Sequence, residues 1–205
     1  MLRPRVIPCL LIRDGGLVKT VGFNDDKYVG DPINAVRIFN EKEVDELIVL
    51  DIDATTDGRE PDLSMIESLA AECRMPLCYG GGVRSAELAR QIISVGVEKI
   101  AISSAAIKNP SIVADIANAI GSQSVVVVLD IRKERWRGGY RVYVQNGNES
   151  TGKSPYDILS MFNIEQIGEV LINSIDQDGK MKGFDLDLVR EMRKIVSGPM
   201  TVLGG

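Results

Sequence analysis

The sequence predicts an α/β protein whose parallel strands form a (β/α)8 TIM barrel. Short apolar runs alternate with amphipathic segments of helical spacing, which is the order of a repeated βα unit. A glycine run follows an apolar run twice, at 79–82 and at 203–205, and an Asp-Gly pair recurs with nearly the same offset, at Asp57 and Asp178. This repeat favours a closed barrel of two similar half-barrels over a doubly wound open sheet.

Seven apolar runs predict strands, and their Val, Ile and Leu content is typical of buried parallel strands. They are residues 5–12, 46–53, 76–80, 99–103, 124–130, 169–173 and 200–203. Six helices are predicted between them, several with Pro in the first turn and a capping Asp, Ser or Asn before it. They are residues 32–40, 61–73, 85–95, 110–120, 155–162 and 185–196.

The chain length bears on how much of the barrel is expected. A barrel of this type takes about 250 residues, and this chain has 205. We therefore expect one barrel domain over residues 1–205 that ends after the seventh strand and lacks the last helix-strand-helix stretch.

One insertion interrupts the βα order after the fifth strand. Residues 133–151 alternate polar with aromatic or β-branched side chains around Gly138-Gly139 and Asn146-Gly147, which predicts a hairpin. The hairpin carries the only tryptophan, Trp136. It is expected at the C-terminal end of the barrel, as a flap over a substrate or as a surface hairpin.

Composition excludes several classes of protein. A net charge of −5 and a sequence pI of ≈ 4.9 argue against a nucleic-acid binder. No apolar run approaches the ~20 residues that span a bilayer, so a cytoplasmic protein without membrane contact is expected. The three cysteines lack metal-ligand spacing and predict free thiols. The absence of histidine excludes Ser-His-Asp and Cys-His sites. No metal or cofactor is predicted.

Carboxylates dominate the strand ends that point toward a barrel's active site. Asp130 is the main catalytic candidate because it closes the apolar run of 125–129, where a buried carboxylate is either paired or reactive. Its alternative is a salt bridge to Arg132 or Lys133. Asp51 and Asp178 are auxiliary candidates, and Asp51 can instead cap the next helix or hold a loop.

The two glycine turns predict two phosphate sites, since glycine lets backbone N–H groups approach an anion closely. Ser103 and Ser104 can add donors to the first turn, or cap a helix. Lys19 can reach a phosphate, or lie solvated on a loop. The predicted phosphate-binding residues are Gly81, Gly82, Ser103, Ser104, Asp178, Gly179, Gly204 and Gly205.

Four charged residues stand at the opposite ends of strands one, two, four and six: Arg5, Glu46, Lys99 and Glu169. The barrel places all four at its N-terminal end, where they are expected to form a neutral ring around the axis. The ring is either a stabilising ion-pair plug or, given the cost of burying four charges, a gate.

The sequence closely resembles the cyclase subunit family of imidazole glycerol phosphate synthase from residue 1 to 205. The resemblance is carried by RVIPCL at 5–10, GDP at 30–32, LDI at 50–52, YGGG at 79–82, GSQSVVV at 121–127 with Asp130, and NSIDQDG at 173–179. It implies a (β/α)8 barrel that receives ammonia from a glutaminase subunit docked on its N-terminal end. It also implies that ammonia passes through the barrel to a substrate with two phosphates, yielding imidazole glycerol phosphate and an aminoimidazole carboxamide ribotide.

By the same resemblance, the four charged residues correspond to the family's ammonia gate, and Lys19 corresponds to an active-site lysine. The phosphate sites correspond to Gly82, Ser103 and Ser104 in one half and to Asp178, Gly179 and Gly205 in the other.

The chain departs from that family at one catalytic position. The family's chemistry resembles a two-aspartate arrangement, and its first-strand position here is Leu11. Ser103, Ser104 and Leu203 also differ from the usual Asn, Thr and Ser. The chain thus combines altered residues around the substrate with an intact ammonia gate. This combination resembles the branch of the family associated with surface polysaccharides, in which ammonia is used to amidinate a nucleotide-linked sugar.

The sequence thus predicts a synthase-like subunit of a glutamine amidotransferase, heterodimeric with a glutaminase. An authentic imidazole glycerol phosphate cyclase and a non-catalytic ammonia-channelling partner are its alternatives.

Overall fold

A computed structural model describes residues 4–134 and 138–205 of the chain. Its strands are β1 (Cys9–Arg13), β2 (Gly16–Val21), β3 (Asn24–Gly30), β4 (Leu47–Asp51), β5 (Leu77–Gly80), β6 (Lys99–Ile102), β7 (Val125–Lys133), β8 (Tyr140–Val144), β9 (Glu149–Ser150), β10 (Glu169–Ser174) and β11 (Met200–Leu203). Its α-helices are α1 (Pro32–Glu41), α2 (Leu63–Glu72), α3 (Ala86–Ser94), α4 (Ser104–Lys108), α5 (Ser111–Ile120), α6 (Pro155–Leu159) and α7 (Leu186–Ile195). Two short 3-10 helices lie at Ser122–Ser124 and Ile164–Gln166.

All the strands belong to one curved sheet. Its order is β11-β10-β7-β6-β5-β4-β1-β2-β3, and the seven strands from β11 to β1 pair in parallel. Arg5, just before β1, contacts Glu169 on β10 at 2.7 Å although four strands separate β1 from β10 in the sheet. Only a sheet that curls around an axis brings these side chains together, so the (β/α)8 barrel prediction is confirmed.

Strand alternation divides the apolar side chains into two clusters. The larger cluster fills the space between the sheet and the helices. The smaller one, the interior cluster, lies inside the barrel and consists of Ile48, Cys78, Ala101, Val126, Val128 and Leu171, with Ile7, Cys9, Leu50 and Leu203 packed against it. The interior of the barrel is therefore apolar along its middle.

Helix starts follow the predicted capping residues. Asp31, Asp62, Ser85, Ser154 and Asp185 each accept a hydrogen bond from a backbone N–H of the first turn, at α1, α2, α3, α6 and α7. Proline occupies the first turn of α1 and of α6, as predicted. These caps fix the loops that lead from strands into helices, at the C-terminal end of the barrel.

Two antiparallel hairpins extend the C-terminal end of the barrel. The predicted one is present: β7 continues to Lys133 and pairs with β8, which pairs with β9. Trp136 lies outside the described residues. The second hairpin, β2–β3, was not predicted, and it places Lys19 on a strand rather than on a loop.

Among the described residues, no helix is long and apolar enough to cross a membrane.

Candidate functional site

A cavity of ≈ 700 Å³ opens at the C-terminal ends of the parallel strands. Its walls come from β-strand ends and from both hairpins. Every mouth residue predicted from the sequence lines it: Lys19, Asp51, Gly81, Gly82, Ser103, Ser104, Asp130, Asp178, Gly179, Gly204 and Gly205. Of the two repeated Asp-Gly pairs, Asp57-Gly58 does not line it.

Asp130 lies at the centre of this cavity's chemistry. Its carboxylate accepts hydrogen bonds from Ser103 Oγ at 3.3 Å and from Asn173 Nδ2 at 3.2 Å. The alternative salt bridge to Arg132 or Lys133 is not formed, since Arg132 instead approaches Asp176 at 4.0 Å. The carboxylate therefore has neutral partners only.

Burial sets the protonation of Asp130. Desolvation raises the pKa of its carboxyl from 3.8 to about 6, the hydrogen bonds from Asn173 and Ser103 lower it, and the charge of Asp178 raises it. A carboxyl with that pKa exchanges a proton near neutral pH, as a general acid or base must. The nearby Cys9 thiol is kept protonated by burial, which raises its pKa to about 12.

The position on the first strand that faces this cavity carries no acid. Leu11 lines the cavity and pairs with Leu50 and Val18 on the flanking strands. Leucine has no titratable group, so it cannot act with Asp130 in proton transfer.

The two auxiliary carboxylates already hold loops together. Asp51 is buried and accepts hydrogen bonds from the backbone N–H groups of Asp53 and Ala54, with Arg59 at 3.4 Å. Asp178 accepts from Thr20 Oγ1 at 2.8 Å and from the Phe23 N–H at 3.1 Å, which fastens the β2–β3 hairpin to the end of β10. Since a carboxylate repels phosphate, an anion at this turn would be bound by N–H groups.

The serines and the lysine differ in the groups they leave for a ligand. The Ser103 hydroxyl donates its hydrogen to Asp130 and is not free to donate to a ligand. Ser104 accepts a hydrogen bond from the Gln145 N–H at 3.0 Å and keeps its own hydroxyl hydrogen for another acceptor. Lys19 is exposed on β2 and has no ion pair among the residues the structure describes. Ser104 and Lys19 can therefore donate to an anion in the cavity.

The glycine turns have the same local packing in both halves of the barrel. Gly81 and Gly204 have φ of 117° and 89°. A Cβ on Gly81 would overlap the carbonyl oxygen of Asp51, and a Cβ on Gly204 would overlap that of Ser174. Both turns press backbone against backbone, which only glycine permits.

We predict that Gly81→Ala destabilises the protein by about 3 kcal/mol, since the methyl group combines left-handed strain with a backbone overlap. Gly152→Ala is the matched control, because Gly152 has φ 69° with open space around its Cβ position. Its cost should be about 1 kcal/mol, from strain alone. Urea unfolding measures both, and equal losses would contradict the close approach at Gly81.

At the opposite end of the barrel, the four predicted charged residues converge on one another. Arg5 contacts Glu46 and Glu169 at 2.7 Å each, and Lys99 contacts the same two carboxylates at 2.7 and 3.0 Å. Thr201 donates a further hydrogen bond to Glu169. These four charged residues, hereafter the charged ring, form a closed and neutral cycle of ion pairs.

Pairing keeps Lys99 and Glu169 ionised although both are partly or fully buried. Desolvation lowers the pKa of Lys99, but hydrogen bonds to Glu46 and Glu169 outweigh it and the pKa is raised overall. For Glu169, desolvation raises the pKa, and the bonds from Thr201 and Lys99 with the charge of Arg5 bring it below 4.5. Both carboxylates are nearly inaccessible, with 3% and 5% of Glu46 and Glu169 exposed.

Two features of the mouth were not predicted. Arg13 binds Asp53 through two hydrogen bonds of 2.6 and 2.9 Å and Asp26 at 2.6 Å, which ties β1, the β4 end and β3 together. Asn146, in the turn between β8 and β9, donates to the carbonyl of Ile52 across the cavity rim. The Asn146-Gly147 pair signalled a turn in the sequence, but nothing signalled its partner.

Fold and site together define a barrel with a charged ring at one end, an apolar interior, and a cavity around one buried carboxylate at the other. Residues 5–205 match the family model described as "Histidine biosynthesis protein". The chain is 54% identical to a Leptospira interrogans protein that carries the provisional name imidazole glycerol phosphate synthase subunit HisF, and 51% identical to a Pseudomonas aeruginosa protein provisionally named subunit hisF2. It is 39% identical to the HisF subunit of Alkaliphilus metalliredigens.

Each of these matches covers 100% of this chain and 81% of the relative. The chain therefore belongs to this histidine biosynthesis protein family, and its similarity to synthase subunits extends over its whole length. The resemblance drawn from the sequence motifs is confirmed, and so is the prediction of a synthase-type enzyme subunit.

Proposed function

We propose that this chain is the synthase-like barrel subunit of a glutamine amidotransferase, which takes ammonia from a glutaminase subunit and adds it to a phosphorylated substrate. The supporting observation is that three layers follow one another along the barrel axis: the charged ring, the interior cluster and the cavity with Asp130. An apolar interior suits neutral ammonia and disfavours ammonium, whose charge would be desolvated there.

The cavity supplies what an ammonia-dependent reaction needs. Donors at Lys19 and Ser104 and the N–H groups of the two glycine turns bind the phosphates of the substrate. Asp130, ionised above about pH 6, takes a proton from the attacking nitrogen and passes it to the substrate oxygen, and a second transfer in the same direction lets that oxygen leave as water. The turn at Asn146 joins the β8–β9 hairpin to the cavity rim at Ile52.

The substrate is proposed to differ from that of imidazole glycerol phosphate synthase. Cyclisation in that family resembles a reaction with two acid–base aspartates, and the first-strand position here is Leu11. A single carboxylate suffices for replacing an oxygen by nitrogen, which is the amidination of a nucleotide-linked sugar for surface polysaccharide. In this proposal the subunit works in the cytoplasm.

Cyclisation tests this assignment directly. We predict that the purified protein, given ammonium chloride and the bisphosphate substrate of imidazole glycerol phosphate synthase, forms no imidazole product, and that Leu11→Asp gains measurable turnover. Leu11→Asn should gain no turnover, because asparagine has the shape of aspartate but no titratable group. Efficient cyclisation by the unmodified protein would instead make it an authentic imidazole glycerol phosphate cyclase.

A deletion strain tests the acceptor. Loss of the gene should leave growth without histidine unchanged and remove an amidine nitrogen from the surface polysaccharide, as read by mass spectrometry. A histidine requirement with an unchanged polysaccharide would contradict the proposal.

A further inference from the structure

The Asn173 side chain has one hydrogen-bonding group that the protein leaves unused. Asn173 is 6% exposed, faces inward from β10 and lines the cavity beside Asp130, its cross-strand partner. Its Nδ2 donates to Asp130 at 3.2 Å, while its Oδ1 is buried and has no hydrogen-bond partner among the described residues. A buried amide oxygen without a partner is costly, so a missing donor is implied.

The three inward side chains that flank Asn173 at this depth offer no donor. Inward residues one step below on β7 and β10 are Val128 and Leu171, and the cross-strand neighbour of Asn173 on β11 is Leu203. All three belong to, or pack against, the interior cluster. The donor must therefore enter with a ligand, either from the cavity or along the barrel axis.

The orientation of the amide is fixed by charge. An ionised Asp130 accepts hydrogen bonds and cannot donate them, so the Asn173 amide must turn its N–H toward that carboxylate. Its carbonyl oxygen then faces away from Asp130. The Asn173 carbonyl oxygen is therefore a neutral acceptor at the C-terminal end of the apolar interior. It belongs to the side chain that is hydrogen-bonded to Asp130, the proposed acid–base group.

We propose that Asn173 Oδ1 is a positioning group that accepts an N–H of neutral ammonia as it leaves the interior cluster and before it attacks the substrate. This inference rests on the proposed function for the source of ammonia. One N–H held by a neutral oxygen leaves the nitrogen lone pair free to form the new bond. The proton released after attack goes to Asp130, so one residue orients the nucleophile and the other receives its proton.

Binding of ammonia can be measured without any turnover. The methyl NMR signals of Leu171 and Leu203 report on this position, and ammonium chloride is titrated against sodium chloride as the salt control. At constant total ammonium, the shifts should grow from pH 7.5 to 9, because the neutral form increases while Asp130 stays ionised. Asn173→Leu should weaken the apparent affinity by about tenfold or more, the loss of one hydrogen bond.

Asn148→Leu is the matched control, since Asn148 lines the same cavity but is exposed on the β8–β9 turn. It should leave the titration unchanged. Shifts that do not depend on pH and disappear in Asp130→Asn would show ammonium paired with the carboxylate, and would overturn the assignment. Absence of any shift would overturn it as well.

The result is separable from the proposed function. Saturable shifts that require Asn173 would stand even if amidination of every tested acceptor failed. Conversely, glutamine-dependent amidination with no ammonia response at Leu171 and Leu203 would keep the proposed function and reject the role of Asn173. A raised KM for the phosphorylated substrate in Asn173→Leu, with ammonia binding intact, would also reject it.

Discussion

Asp130→Asn is expected to lower the ammonia-dependent turnover by between about 10² and 10⁴-fold, the range for removing a positioned acid or base. The amide keeps the size of the side chain and one acceptor for Ser103 or Asn173, so the cavity should be preserved. With the unmodified protein, activity at a fixed concentration of neutral ammonia should rise as pH increases through about 6, when Asp130 becomes ionised. That rise should be missing from the residual activity of the variant.

The same substitution is expected to stabilise the fold at neutral pH. Because the pKa of Asp130 is raised in the folded state, its stabilising contribution is complete below the ordinary value of 3.8 and is lost as pH rises through about 6. The difference between those two pKa values corresponds to about 3 kcal/mol. The free energy of unfolding of Asp130→Asn minus that of the unmodified protein should therefore increase by about this amount from pH 4 to pH 8.

Urea unfolding at a series of pH values checks the stability, with Asp115→Asn as the control. Asp115 is exposed on α5, and its replacement should produce no pH-dependent difference in the free energy of unfolding. A flat difference for Asp130→Asn as well would mean that the carboxyl has an ordinary pKa. Full activity in the variant would exclude it from proton transfer.

The repeated βα order was predictable because buried parallel strands are made of long apolar runs. The β2–β3 hairpin was missed because every residue of Asn24–Val29 is exposed, so the strand has no apolar alternation to detect. Helix α4 was missed for a different reason: its five residues, Ser104–Lys108, are too short for a helical period to show. Exposed or very short elements therefore produce no clear periodic pattern of apolar residues in the sequence.

Site residues divide in the same way. The charged ring could be inferred because charges at strand starts are placed by strand register alone. For Asp51, holding a loop was one of the two sequence interpretations, and its hydrogen bonds from the Asp53 and Ala54 N–H groups agree with it. The use of Asp178 could not be inferred, since it depends on Thr20 and the Phe23 N–H, which only the folded backbone brings within reach. The role of Asn173 could not be inferred either, because an unpartnered oxygen becomes visible only when every neighbouring group is located.

The second large effect is expected at the charged ring, where Lys99→Met removes one of its two cations. Glu46 and Glu169 would then share Arg5 alone, and 40% of the Arg5 side chain is exposed. Breaking a buried ion pair by removing one partner costs about 3–5 kcal/mol, because the remaining charge stays desolvated. The loss should be smaller at pH 5 than at pH 9, because without Lys99 the desolvation that raises the pKa of Glu169 is less opposed, and a protonated carboxyl carries no uncompensated charge.

Two further variants isolate the ring from a general effect of losing lysine. Lys108→Met removes an exposed lysine whose carboxylate partner, Glu149, is 3.9 Å away, and should cost less than about 1 kcal/mol. Lys99→Met with Glu169→Gln restores neutrality, so the double variant should lose less stability than the two single losses together. Additive losses would show that Lys99 and Glu169 do not act as a pair.

The function of the ring separates from its stability in the same variants. If ammonia enters through the ring, Lys99→Met should reduce product formed from glutamine with the glutaminase subunit while product formed from ammonium chloride, which reaches the cavity from its open mouth, persists. A plug that only stabilises the barrel would affect both nitrogen sources equally at a temperature where the variant is folded. The double variant Lys99→Met with Glu169→Gln sharpens the comparison, because it recovers stability without restoring the lysine. A loss with glutamine that remains while the glutaminase subunit still binds is then a property of the passage itself.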